Sequence, residues 1–416
     1  MNSVIKFFLL LFLCFTETIL ANNDSSKVIF SDNPVVARFD SLLMINYSAY
    51  QAMFSSNIED EGFEPPDFSD TIYESRIQQL NTKTPIELVY NTHVKQYINV
   101  YTKKRRGQLS RMMGLAEYYF PMFEEVLDSF DLPLELKYLS IVESALNPRA
   151  KSWAGATGLW QFMFRTGKEF DLKVSSYVDE RMDPYRSTVA ACKFFEQSYG
   201  IYKDWSLVLA SYNSGRGNVN KAIRRSGGKK NYWQIRRFLP KETRSYVPAF
   251  IAVCYAMNYA LDHKIKTEKP VVFNYQVDTI EVKHQIDFEH LSSSINISIK
   301  ELEFLNPSYK INVIPNIKGR KHFLTLPRDK IGVFVENEEE IYSYFIKLRA
   351  EKQKEYPRYT EQNERIVYRV KRGEYLGKIA RRYGCSVKNI QEWNSLKNDN
   401  IRVGQKLILF VRPDYV

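Results

Sequence analysis

Apolar residues recur at helical spacing from about residue 108 to 263, and after Lys264 they cluster in short β-branched or aromatic runs. The helical stretch has readable punctuation. Positions 109–130 predict one long helix. Asp131-Leu132-Pro133 then restarts the chain, with an acidic cap followed by proline in the first turn. The next helix is predicted over 133–146, with Leu134, Tyr138, Val142 and Ala145 on one stripe. Asn147-Pro148 stops it, because a residue before proline is pushed out of the helical region. Asp183-Pro184 opens another helix, expected to end at Gly200. Segments 205–213 and 247–261 complete a helical bundle.

The flanks read differently. Residues 22–107 are polar and aromatic with weak periodicity; Pro65-Pro66 marks a loop and 91–101 looks helical, so a mostly helical wrapper is expected. Beyond the bundle, 271–277, 280–282 and 323–326 read as strands, with two short helices in 288–305 between them. Residues 332–365 read as a solvated charged helix and linker. A compact strand–helix–helix–strand unit follows over 366–411, its elements at 368–370, 375–383, 387–393 and 406–410. The fold class is therefore mainly α, followed by small α+β modules of βααβ order.

Length and composition agree. A chain of 416 residues exceeds one typical core. Lys6 and the apolar run 7–15 read as an export signal over 1–21, too short to span a bilayer. Leu11-Phe12-Leu13 before Cys14 lacks the small residue that a lipoprotein cleavage site needs. The other cysteines, Cys192, Cys254 and Cys385, are odd in number and cannot all pair within the chain. Cys192 and Cys254 lie in apolar helical segments and read as buried thiols. No cysteine or histidine spacing fits a metal site, and no cofactor is implied. The formal net charge of +11 favours polyanions without choosing among them. The run Lys103-Lys104-Arg105-Arg106 reads as a solvated helix end or loop and is too short to argue for nucleic acid.

One carboxyl stands out. Glu143 falls in the last turn of a predicted helix, among Ile141, Val142, Ala145 and Leu146. The negative end of the helix dipole and apolar neighbours both favour a protonated carboxyl, which a general acid requires. Alone, it reads better as a surface glutamate near a helix end. Its sequel changes that: the small-residue turn 155–158, the segment Leu159-Trp160-Gln161-Phe162-Met163 with one lone amide, and Ser211-Tyr212-Asn213-Ser214-Gly215 closing a helix.

The compound motif ESALNPRAKSWAGATGLWQFM (143–163), SYNSG (211–215) and ETRSYV (242–247) resembles the catalytic domain of lytic murein transglycosylases, in their membrane-bound D-type subgroup, over 108–263. The resemblance implies a goose-lysozyme-like helical fold with a glycan cleft. It implies Glu143 as the acid/base and Ser144 as support for the local hydrogen bonds. Ser152, Gln161 and Met163 would contact sugar, Tyr212 and Asn213 would line the floor, and Tyr246 would lie beside the carboxyl. Trp160 and Ser211 depart from commoner methionine and alanine. The implied reaction needs one carboxyl where most glycosidases need two, because the substrate's N-acetyl group attacks the anomeric carbon. Asp179, Glu180 and Asp183 are the nearest other acids and read as capping and ion-pairing groups.

The unit 368–409 resembles a LysM module, which implies binding of N-acetylglucosamine-containing glycan through Gly373, Glu374, Tyr375, Leu376 and residues after Trp393. Residues 271–331 resemble a degenerate copy, suited to packing or spacing as well as to glycan. The expectation is an exported peptidoglycan lytic transglycosylase of the cell envelope, with membrane association open. Its rivals are a hydrolytic muramidase and an inert wall-binding scaffold.

Overall fold

The computed structural model describes residues 64–268, 276–352, 356, 364–383, 385–394, 396 and 398–411. The export segment 1–21, residues 22–63 and most of the strand expected at 271–277 lie outside them.

Helices α1 (Asp70–Asn81) and α2 (Thr92–Asn99) open the described chain. Asn91 caps α2 by accepting from the His93 and Val94 amides, and a π turn, Val100–Lys104, follows. α3 (Arg106–Ser129) is the long helix expected at 109–130. A 3-10 turn, Leu134–Tyr138, leads into the short α4 (Leu139–Ser144), so the single helix expected at 133–146 is divided and ends earlier. α5 (Phe164–Glu169) precedes α6 (Pro184–Tyr202), whose N-cap Asp183 accepts from the Arg186 amide. α6 does not stop at Gly200. It continues until Tyr202 is buried, with its hydroxyl on Arg216 O and Asn220, and Lys203 supplies the left-handed cap. α7 (Trp205–Ser214), α8 (Arg216–Arg225), α9 (Tyr232–Ile235) and α10 (Thr243–Asn258) follow.

α10 holds Pro248 in its interior. Proline deprives the carbonyl four residues back of its partner. That carbonyl, Arg244 O, instead accepts from the Tyr232 hydroxyl at 2.8 Å and Arg236 Nε at 2.7 Å. Residues 64–107 are not a separate shell. Tyr73, Ile77, Val94, Tyr97 and Ile98 share one core with α3, α7 and α10. The basic run is not wholly solvated either. Arg106 is buried and donates to Thr102 O, His263 O and Lys264 O, tying the start of α3 to the segment that follows α10.

Next comes a small module. β1 (Val277–Val282) pairs antiparallel with β4 (His322–Pro327), Val277 opposite Pro327. Between them lie β2 (Ile286–Asp287), α11 (Phe288–Ile295), α12 (Ile299–Leu305) and β3 (Val313–Ile314), with β2 and β3 paired to each other. α13 (Arg328–Glu336) and α14 (Glu338–Lys352) complete it. The segment expected as solvated linker is thus partly core: Phe334, Ile341 and Tyr342 are buried with Phe288, Leu302 and Leu324. The last module has β5 (Glu364–Arg369), α15 (Leu376–Arg382), α16 (Val387–Asn394) and β6 (Lys406–Val411), β5 and β6 antiparallel, in the expected order. Among the described residues, no helix is long and apolar enough to cross a membrane. Cys192 and Cys254 are free and buried; burial pushes Cys192 up to about 12 and Cys254 up as well.

His263 is a pH-sensitive part of this core. It is fully buried, with Nε2 3.1 Å from the Tyr255 hydroxyl. Burial, aided by the Arg76 guanidinium, pushes its imidazole down to about 4. In the unfolded chain it titrates near ~6.5. A depressed folded pKa gives stability that is complete above the unfolded value and lost as pH falls through the folded one. The loss, at most about 3 kcal/mol, falls between those two values. Denaturant unfolding of the wild type and a His263→Gln variant across that interval checks this: the wild type loses more stability on acidification than the variant.

Candidate active site

α4 ends inside the core, and its end is where the chemistry gathers. Glu143 is 2% exposed. The Tyr246 hydroxyl, one turn into α10, donates to Glu143 Oε1. A helix that stops in a core must satisfy its last carbonyls internally. Here the chain turns left-handed for two residues, Ala145 (φ 52°) and Leu146 (φ 61°). That turn brings the Ala145 amide to Ile141 O at 2.9 Å. Ser144 Oγ donates to Ser140 O (3.0 Å) and to Leu159 O (2.9 Å), joining helix to loop. Ser144 is buried at 1%, so it braces the site rather than facing a ligand.

The loop after α4 folds back as a tight hairpin. The Thr157 and Phe162 backbones exchange hydrogen bonds of 3.0 and 3.1 Å. Gly158 (φ +89°) lies against the Arg181 backbone, where an added Cβ would sit 1.8 Å from the Arg181 carbonyl oxygen. Arg181 is itself buried. Its guanidinium makes a forked pair with Asp179 (3.0 and 2.7 Å) and donates to Gly155 O and Phe162 O. Asp183 caps α6, and Glu180 accepts from the Lys173 amide, so all three acids have the expected capping and pairing roles.

Gln161 has a left-handed backbone (φ 49°), costly for a residue with a side chain. Its Nε2 donates to Ala150 O (3.1 Å) and Gly158 O (2.9 Å), while Oε1 is buried without a partner among the described residues. Ser152 is half-buried; its Oγ accepts from the Ala156 amide at 3.0 Å and keeps its own proton to donate. Met163 is exposed at the head of α5.

α7 supplies the opposite side. The Tyr212 hydroxyl donates to Trp160 O at 2.7 Å, and its ring packs against Phe162, Phe194 and Phe195. Asn213 is oriented by α10: Thr243 Oγ1 donates to its Oδ1 at 2.8 Å, and its Nδ2 donates to Glu242 Oε1 at 3.3 Å. Hydrogen bonds thus link Glu143, Ser144, the 159–161 backbone, Tyr212 and Tyr246 into one constellation, with Asn213 held by the same helix as Tyr246. Glu242 and Thr243 were missed as candidates. Their signal was present, since Glu242 and Thr243 begin the ETRSYV stretch from which only Tyr246 was singled out.

The last module has its own candidate face. Gly373 (φ +80°) makes the turn before α15. Glu374 is held down at about 2, chiefly by the Tyr368 hydroxyl and also by the Lys371 amide and Arg382. Leu376 is buried in that module's core, so its side chain is structural. Tyr375 is exposed, and its ring lies against the bare Cα of Gly377.

Residues 126–235 match the model of the transglycosylase SLT domain. Residues 276–343 match that of the lytic transglycosylase MltD LysM-like domain, and 368–410 that of the LysM domain. The chain is 30% identical over 309 residues to the membrane-bound lytic murein transglycosylase D of Escherichia coli (strain K12), covering 71% of this chain and 64% of that protein. It therefore spans just under two thirds of that relative's length. It is also 30% identical over 161 residues to membrane-bound lytic murein transglycosylase F of Pseudoalteromonas translucida (strain TAC 125), covering 34% of this chain and 33% of that one. The 70 kDa soluble lytic transglycosylase of Escherichia coli aligns with 37% of this chain and 25% of its own, at 25% identity and a TM-score of 0.30.

Gly158 and Gly155 offer a matched test of the loop. Both have positive φ, but only Gly158 lacks room for a methyl group. Gly155→Ala is expected to cost about 1–2 kcal/mol from backbone strain alone. Gly158→Ala is expected to exceed about 4 kcal/mol, because the Arg181 backbone must move. Denaturant midpoints of the two variants measure the difference.

Proposed function

We infer that this chain, which belongs to the lytic murein transglycosylase family, cleaves the β-1,4 bond between N-acetylmuramic acid and N-acetylglucosamine in peptidoglycan without consuming water. The observation that carries the reading is the buried Glu143 carboxyl, held by Tyr246 at the junction of α4, the 150–163 loop and α7. A carboxyl withdrawn from water at a helix end suits proton delivery to a leaving oxygen.

The steps balance with one carboxyl. Glu143 gives its proton to the glycosidic oxygen as the bond to the muramic anomeric carbon breaks. The N-acetyl carbonyl oxygen of the same sugar bonds to that carbon, giving an oxazolinium-like intermediate. The Glu143 carboxylate then takes the proton of the sugar's 6-hydroxyl, whose oxygen displaces the acetamido oxygen. A 1,6-anhydro ring results, and Glu143 is protonated again. Tyr246 orients the carboxyl throughout. Gln161 Oε1 and Ser152 Oγ offer an acceptor and a donor for the N-acetylated sugars, and Asn213, fixed by Thr243 and Glu242, offers its amide.

The last module holds the enzyme to glycan through Tyr375 and the turn at Gly373, raising effective substrate concentration. An export signal in 1–21 would deliver the chain to the cell envelope, where peptide carboxylates of the wall suit its positive charge.

Mass spectrometry of sugars released from purified peptidoglycan tests the reading. Wild-type protein is expected to release muropeptides one water lighter than hydrolysis products, and Glu143→Gln to lower the rate by about 10²–10⁴-fold. Reducing-end products of full mass would make the protein a hydrolase and direct attention to Glu242 as a second carboxylate. No release from either protein would leave a wall-binding scaffold.

A further inference from the structure

The module over 276–343 and the last module share one internal device. Asn306 Nδ2 donates to Leu302 O and Thr325 O and its Oδ1 accepts from the Thr325 amide; Asn394 does the same with Ile390 O, Ile408 O and the Ile408 amide. Counted back from this asparagine the two modules match position for position; beyond it the first is longer, its strand partner 19 residues on against 14 in the last module. The turn Gly373-Glu374-Tyr375 corresponds to Gln285-Ile286-Asp287, and the segment after Asn394 to the one after Asn306.

In the first module those two segments are engaged. Ile286 and Asp287 pair with Ile314 and Val313, zipping one segment to the other. The rest of the second segment lies on the catalytic domain. The Asp179 amide donates to Ser308 O at 2.9 Å, the Lys310 amide to Tyr177 O at 2.8 Å, and Lys310 Nζ to Ser175 O at 2.8 Å. Phe304 and Leu305 enter the catalytic core, Phe304 with its ring 5.0 Å from that of Tyr118.

Arg149 lies at the centre of the seam, six residues past Glu143. Its Nε donates to Pro307 O (3.2 Å), and Nη2 donates to Tyr309 O (3.1 Å) and Asn312 Oδ1 (3.4 Å). Glu303 lies 3.7 Å from Nη1. Arg149 directly precedes Ala150, whose carbonyl accepts from both the Gly158 amide and Gln161 Nε2. A second route runs through Asp179, which accepts from Arg181, the residue that pins Gly155 and Phe162.

We propose that the module over 276–343 is a rigid buttress of the active-site loop rather than a glycan-binding module, and that Arg149 is the positioning residue through which it holds Ala150 and thereby Gln161. The catalytic part of the proposal rests on the transglycosylase reading above; the structural part does not. A charge in the catalytic domain with four partners in the module fixes the hairpin without touching substrate. Losing it frees the hairpin while leaving Glu143 and Tyr246 in place.

The test uses full-length Arg149→Ala and Arg149→Lys. Amide hydrogen exchange is read at Gly158, Gln161 and Phe162, with α10 as internal reference. The alanine variant is expected to exchange at those three amides about tenfold faster with α10 unchanged, and lysine to restore part of the protection. Unchanged exchange at the hairpin, or an equal rise in α10 that marks general destabilisation, overturns the positioning role, whether or not the protein is an enzyme. With peptidoglycan as substrate, kcat is expected to fall about tenfold while KM stays within about twofold. A raised KM with unchanged kcat would mean that the module binds substrate. In a titration of the wild type with the N-acetylglucosamine tetramer, amides 283–288 and 308–314 are expected not to shift. A saturable shift there overturns the loss of the glycan face.

Discussion

A carboxyl kept from water at the end of a buried helix constrains everything around it. α4 cannot end in solvent, so its final carbonyls need partners from within the fold. Ala145 and Leu146 adopt left-handed backbone to bring amides back to the helix, and strain of about 1–3 kcal/mol each is tolerable only where surrounding packing fixes it. Ile141, Val142 and Leu146, all buried, supply that packing. Ser144 then carries the constraint outward, since its hydroxyl ties the helix to Leu159 O and so places the strained Gln161 two residues later.

Much of this was legible because it is local. Asp183-Pro184 acts through its own backbone, so the helix start it announces is present, whereas the stop expected at Asn147-Pro148 comes earlier, at Ser144, where Ala145 turns left-handed. The motif around Glu143 was legible because each member has a distinct chemical type at fixed spacing. What escaped depends on partners distant in sequence. Gly200 reads as a stop, yet burying Tyr202 against α8 carries the helix past it. The mixed charge of 338–352 hides Ile341, Tyr342 and Phe345, which are buried against the module. Asn213 was identified by type, but Thr243 and Glu242, which fix its amide, belong to another helix.

The positive charge shows the same division between count and place. A formal +11 reads as a surface property. Arg106, Arg149 and Arg181 are instead structural, each donating to backbone carbonyls at the ends of chain segments. Arginine suits that task because its planar fork reaches several acceptors at once while staying charged. Removing one leaves buried carbonyls unpaired, a larger loss than a surface ion pair would give.

Two modules of one pattern differ in what their equivalent segments touch. A module that raises local substrate concentration needs an exposed face, and in the last module Tyr375 is exposed with its ring against Gly377. A module that shapes an active site must be held firmly at the contact; Phe304 and Leu305 are buried in the catalytic core, and Arg149 bonds to Pro307 O and Tyr309 O. The position matching Tyr375 is Asp287, which caps α11 and bonds to His290 and Tyr356, so its side chain is committed to the fold.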